Sequence, residues 1–120
     1  MVERISAQGL HKIIQGETIG AQTCVIKFYS NGCDYCHNLK EYFEDISDID
    51  DYQGVRFFAF NVADDPKIDK RLKLNGVPTI CMIKTQPPEA QIKIIADPDT
   101  PHQHTWFRSS EIKSFIERNK

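Results

Sequence analysis

The chain has 120 residues, 40% of them hydrophobic and 27% charged, the size and balance of one globular domain spanning residues 1–120. The net charge of −2, with both signs mixed along the sequence, excludes the basic stripe of a nucleic-acid binder. No stretch is long and apolar enough to span a bilayer, and the opening Met-Val-Glu-Arg-Ile-Ser carries no apolar run of signal-peptide length. The expected setting is the cytoplasm, where a close cysteine pair is more often catalytic or metal-binding than structural.

Val2–Ile5 reads as a short strand. Ser6 is a suitable N-cap for a helix through Gln15, with Leu10, Ile13 and Ile14 on its inner stripe. After a connection from Gly16 to Thr23, Cys24–Tyr29 is β-branched and aromatic with almost no polar residue, which suits a strand buried on both faces. Ser30-Asn31-Gly32 breaks it and a helical pattern starts near Asp34. Leu39, Phe43, Ile46 and Ile49 mark that helix's buried face, and Tyr52-Gln53-Gly54 ends the segment.

Val55–Val62 is the next strand. Asp65-Pro66 predicts an N-cap followed by proline at the first helical position, with the helix running to Leu74 and closed by Asn75-Gly76. Thr79–Lys84 and Gln91–Ile95 read as strands joined by a turn at Gln86-Pro87-Pro88-Glu89. Ser109 or Ser110 caps a last helix carrying Ile112, Phe115 and Ile116. The order β-α-β-α-β-α-β-β-α implies an α/β fold with a parallel core, helical crossovers and an antiparallel edge pair.

Cys33-Asp34-Tyr35-Cys36 is a C-x-x-C at the join between the buried strand and the amphipathic helix. A helix N-terminus offers unpaired N–H groups and the positive end of the dipole, and both stabilise a thiolate. Cys33 is the better placed and more exposed thiol, hence the expected nucleophile. Cys36, one turn inside the helix, can resolve a mixed disulfide. Zinc sites use the same spacing, so the pair alone leaves metal binding open. Downstream, Gly76-Val77-Pro78-Thr79 puts a proline just before a strand, where a cis bond would bring a backbone edge beside the thiols.

The strand Val25–Tyr29, Cys33-Asp-Tyr-Cys36, Tyr52-Gln53-Gly54, Asn61 with Asp65-Pro66, and Gly76-Val77-Pro78-Thr79 together resemble the thioredoxin family, over about residues 2–95. The resemblance implies a thioredoxin fold, a mixed sheet of about five strands flanked by about four helices. It also implies a monomeric thiol–disulfide oxidoreductase with no cofactor beyond its own Cys33–Cys36 pair. Cys33 would attack, Cys36 would resolve, and Pro78 would be a cis-proline lining the substrate groove with Val77, Gly32 and Tyr35. The implied partners are disulfide-containing protein substrates and a reductant, either thioredoxin reductase or glutathione.

The sequence departs from the family in several places. Gly32 stands where thioredoxins usually have tryptophan, which opens the groove, and Tyr35 before the second cysteine is similar to glutaredoxins. A glutathione-linked enzyme and a thioredoxin-fold docking module are the alternatives. Lys27 occupies the place of the family's buried aspartate, Ala59 that of its companion lysine, and Glu41 that of the helix-kinking proline. Lys27 has two readings: its stem packs in the sheet while its amine reaches water, or it tunes the thiols from below. Asp34 opposes negative charge on Cys33, and His37 is an exposed helix residue that can tune the thiols slightly.

Cys33-x-x-Cys36-His37 also matches the haem-attachment pattern, but covalent haem of that type belongs with export. Zinc would need Cys24, Cys81, His102 or His104. Both cysteines fall in strands and read as small buried hydrophobes, and the histidines fall in a polar segment. No metal site is expected. In that segment, Ala96–Arg108, Trp106 and Phe107 are expected to anchor to the core, the alternative being a partner surface near the groove. Phe57, Phe58 and Phe60 fit a buried strand better than base stacking.

Overall fold

A computed structural model describes residues 1–120. Along the chain, Val2–Arg4 (β1) leads to Ala7–Ile14 (α1), Gln22–Tyr29 (β2), Asp34–Ser47 (α2) and Val55–Asn61 (β3). Ile68–Leu72 (α3), Thr79–Gln86 (β4), Glu89–Ile94 (β5) and Ser109–Asn119 (α4) follow. The five strands form one mixed sheet in the order β1-β3-β2-β4-β5. β3 runs parallel to both β1 and β2, whereas β4 is antiparallel to both β2 and β5. This is a thioredoxin fold.

The central strand explains the architecture. Cys24 through Phe28 are all buried, so both faces of β2 need cover. Val25 joins Leu39, Phe43 and Ile46 of α2 and Ile112, Phe115 and Ile116 of α4 in one cluster. Cys24, Ile26 and Phe28 point the other way, into a cluster with Leu10 and Ile13 of α1 and Ile68 and Leu72 of α3. The two-residue alternation of the strand thereby splits the core into two layers. Phe57, Phe58 and Phe60 of β3 are buried among them.

Several boundaries differ from the sequence reading for local reasons. β2 starts at Gln22, because its amide donates to Thr85 Oγ1 at 3.1 Å and extends the pairing with β4. Ile49 lies beyond the end of α2, before a 3-10 turn at Asp50–Tyr52, yet still packs on the core. Asp65 does not cap a helix at Pro66. Its carboxylate accepts from the Lys67 amide at 3.1 Å and pairs with His11 Nε2 at 2.7 Å, and α3 starts only at Ile68. That helix closes at Lys73, which adopts the left-handed conformation (φ 58°), rather than at Asn75-Gly76.

Neither Ser109 nor Ser110 caps α4. Arg108 holds the N-cap position, and its amide donates to Glu111 Oε1 at 2.8 Å. The turn between β4 and β5 is Pro87-Pro88, and α1 ends against it. Gly16 has φ +73°, and a Cβ there would lie 2.5 Å from the Pro88 carbonyl oxygen.

α2 is held to the sheet by Leu39, Phe43 and Ile46, so the helix that carries the cysteines is fixed by packing. Leu39→Ala is expected to lower stability by about 2–5 kcal/mol in urea unfolding, because Leu39 is fully buried. A loss below about 1 kcal/mol would show that α2 is not held through this contact.

Candidate functional site

Cys33 is the N-cap residue of α2, with extended backbone (φ −95°, ψ 104°), and its Sγ accepts from the Cys36 amide at 3.1 Å. The two sulfurs form a disulfide. Cys33 is part-exposed, whereas Cys36 is 2% exposed and packs against the sheet. A helix N-terminus thus presents one accessible sulfur in front of one shielded sulfur, an arrangement suited to successive attack.

The loop before Cys33 is pinned from two sides. His37 Nε2 bonds the Asn31 carbonyl at 2.7 Å; since a carbonyl only accepts, that ring nitrogen carries the proton. Asn61 at the end of β3 donates to Asn31 Oδ1 at 3.3 Å. His37 therefore holds the loop through its ring as well as standing beside Cys36. Gly32 and Asp34 are exposed on the approach to the pair.

Across from the pair, the Val77–Pro78 peptide bond is cis. Tyr35, Gly76, Val77 and Pro78 line a recess of about 140 Å³ that also includes Asp97 and Trp106. Asp97 and Trp106 come from the segment between β5 and α4, which the sequence reading connected with the groove only as an alternative. Trp106 meets Tyr35 edge-to-face at 5.5 Å, whereas Phe107 is 1% exposed in the core. Phe107 anchors inside the core, while half-buried Trp106 packs against that core with one part of its surface and lines the recess with another.

Lys27 projects to the α2 side of the sheet and is 5% exposed, its stem covered by the core while its unpartnered Nζ keeps a narrow opening to the cavity. It lines a cavity of about 200 Å³ together with Cys36, Tyr29, Lys40, Glu44 and Arg4. No carboxylate comes within ion-pair distance of its Nζ. The ammonium faces the rings of Phe43 and Tyr29 at 5.5 and 5.9 Å instead. Burial pushes it down from the ordinary 10.5 to about 8, with Lys40 adding to the shift and Glu44 opposing it.

Cys24 and Cys81 are fully buried in the cluster on the α1 and α3 side, across the sheet from α2. Burial raises both thiols; Arg56 tempers the effect at Cys24, while Cys24 adds to it at Cys81. The sheet therefore separates these two from Cys33 and Cys36. His102 and His104 line a surface recess with His37 and Asn38 of α2, which neither cysteine pair lines. His102 bonds within its own segment, to Thr105 Oγ1 at 3.3 Å and the His104 amide at 3.2 Å. No group of three or more His, Cys, Asp or Glu side chains gathers in metal-binding geometry. No helix is long and apolar enough to cross a membrane.

The geometry defines the class as thioredoxin-fold proteins with a C-x-x-C redox pair. Among solved structures, the thioredoxin of Malassezia sympodialis is similar over 98% of this chain and 91% of its own, at 18% identity and TM-score 0.66. Chloroplastic thioredoxin z aligns over 98% and 92%, at 19% identity and TM-score 0.65. Mitochondrial thioredoxin 3 of Saccharomyces cerevisiae aligns over 98% and 94%, at 15% identity and TM-score 0.64. No curated protein matches the sequence. The family model described as thioredoxin matches residues 3–100, and the chain belongs to the thioredoxin family.

The burial of Lys27 has a pH signature. Below about pH 8 both folded and unfolded chains hold its proton, and the folded state carries the full cost of a buried ammonium. Between about 8 and 10.5 the unfolded chain binds more protons at this site, so the Lys27 contribution to stability improves as pH rises. Oxidised Lys27→Met is expected to exceed wild type at neutral pH by on the order of 1–3 kcal/mol. The difference, read by urea unfolding, should close by about pH 10.5. A difference that stays constant across that window would rule out the buried ammonium as its source.

Proposed function

We propose that this chain is a dithiol–disulfide oxidoreductase that exchanges disulfides with protein substrates. The observation that carries the reading is the Sγ of part-exposed Cys33 at the N-cap of α2, in hydrogen-bond contact with the amide of the buried Cys36. In the reduced protein, the Cys33 thiolate attacks one sulfur of a substrate disulfide. A Cys33–substrate bond forms and the first substrate thiolate leaves. The Cys36 thiolate then attacks Cys33 Sγ, the Cys33–Cys36 bond forms, and the second substrate thiolate departs. Two electrons have passed to the substrate, and the steps run backwards for oxidation.

Pro78 and the Val77 backbone form the edge against which an extended substrate segment pairs, a form of strand addition, with Gly32 leaving the approach open. Regeneration needs an external dithiol or thiol donor. Thioredoxin reductase is the family's general solution, and Tyr35 gives glutathione a place as the second. The cytoplasm, with its reducing poise, is the proposed setting, and the chain works there as a monomer.

Three side chains set the reactivity. The α2 N-terminus favours a thiolate at Cys33, and the Asp34 carboxylate in the first turn opposes it. His37 keeps the loop before Cys33 in place. Lys27, in a cavity it shares with Cys36, favours the thiolate of the reduced pair and so makes the protein a weaker reductant. Lys27→Met is expected to make the reduction potential more negative by roughly 10–30 mV. An unchanged potential together with unchanged thiol titration would remove Lys27 from the redox site.

The deciding experiment is dithiothreitol-driven reduction of insulin. Wild type should accelerate it, Cys33→Ser should fall to the reagent blank, and Cys36→Ser should stall as a mixed disulfide on Cys33 visible by mass. Wild-type activity no greater than the blank would overturn protein-disulfide reduction. Retained biological activity in the double serine variant would favour a docking module.

A further inference from the structure

The segment between β5 and α4 folds into a clasp over the thiol end of the molecule. His102 and Trp106 exchange both backbone hydrogen bonds, at 2.9 and 3.0 Å, which closes a tight loop. Thr105 is buried and donates to the Phe107 carbonyl at 2.7 Å, and Arg108 reaches back to the Thr100 carbonyl at 2.8 Å. Asn38 of α2 donates to the His104 carbonyl at 2.9 Å and ties the clasp to the helix that carries the cysteines.

Within this clasp Trp106 has φ +64°, a backbone conformation that bulky residues rarely take. The left-handed residue lets the chain send Phe107 into the core and lay half-buried Trp106 across the core's edge beside the recess. The indole lies edge-on to Tyr35 at 5.5 Å, and its Nε1 donates to Asp97 Oδ1 at 3.1 Å. Ring orientation is thus fixed at both ends. The recess of about 140 Å³ between this indole and the Val77–Pro78 edge is of the order that admits one benzene-sized group. Tyr35, which lines the recess, stands between the two cysteines in sequence and so places the recess next to the redox pair along α2.

We propose that this recess is a side-chain subsite for protein substrates, and that Trp106 is its specificity-determining residue. It receives one apolar side chain, aliphatic or phenyl-sized, from the residue next to the substrate's reactive cysteine. Trp106 and Pro78 form its walls, and the Asp97 carboxylate at its edge disfavours an acidic residue there. The proposal rests on the dithiol-exchange reading and adds the substrate chemistry that the thiols themselves do not select.

The test compares three disulfides reduced by the reduced protein. Two are peptides that differ only in leucine or glycine beside the cysteine; the third is hydroxyethyl disulfide, which has nothing to fill the recess. Wild type should favour the leucine peptide by about tenfold in kcat/KM. Trp106→Ala should bring that ratio within about twofold, with a clearly smaller loss toward hydroxyethyl disulfide than toward the leucine peptide, and Trp106→Phe should keep most of the preference.

Trp106 is the only tryptophan in the chain, so its fluorescence gives a readout independent of turnover. Titrating the leucine peptide into the oxidised protein should shift the emission, and the glycine peptide should not. Equal wild-type rates for the two peptides would overturn the subsite. So would a Trp106→Ala loss that extends equally to hydroxyethyl disulfide. Failure to reduce any of the three, alongside a leucine-specific fluorescence shift, would overturn the exchange reading and leave the subsite standing.

Discussion

The Cys36 amide donates to Cys33 Sγ across the first turn of α2, and the site's chemistry depends on that contact being held in place. It exists because β2 ends at Tyr29 and α2 begins at Asp34, leaving a loop too short to wander. The loop is tied by the Cys33 amide to the Ser30 carbonyl at 3.3 Å and by His37 and Asn61 to Asn31. Upstream, the buried run from Cys24 to Phe28 fixes the strand between β3 and β4, so the position of the reactive sulfur is inherited from the middle of the sheet. Downstream, Leu39, Phe43 and Ile46 fix the helix. Packing on both sides of the junction turns a four-residue motif into a defined geometry.

Charge is distributed differently from the family pattern. Where a buried carboxylate is usual, Lys27 presents an ammonium to two aromatic rings. Glu44 of α2, which shares its cavity, accepts from the Val2 amide at 3.1 and 3.2 Å, which joins β1 to that helix. The cation therefore keeps its charge without an ion pair. A buried, incompletely compensated charge weakens the fold, and here it sits in the cavity that Cys36 also lines.

Much of this was legible in the residues. The element order followed from periodicity, because β2 is an unbroken apolar run and α2 has a regular buried stripe. The pairing of an exposed Cys33 with a covered Cys36 followed from their places at a helix start. Less visible was anything decided by a partner distant in sequence. Asp65 reads as a cap, yet only its Oδ1 holds the nearby Lys67 amide, α3 starts later at Ile68, and Oδ2 is taken by His11, 54 positions earlier. Ser109 and Ser110 looked like caps, while Glu111 satisfied the Arg108 amide instead. Trp106 was hardest to place, since no residue pattern signals a left-handed tryptophan, and only the tertiary contacts with Tyr35 and Asp97 turn it to the groove.

The two-layered core has a consequence for the chain's sulfur inventory. Four cysteines in a protein that trades disulfides would invite scrambling if all could meet. The sheet acts as a partition: Cys24 and Cys81 lie behind it with their thiols held protonated by burial, while Cys33 and Cys36 lie in front. On the proposed exchange chemistry, an intermediate on Cys33 would have Cys36 as its one intramolecular outlet. Fidelity in the order of bond exchange is thus set by which side of a strand each residue falls on.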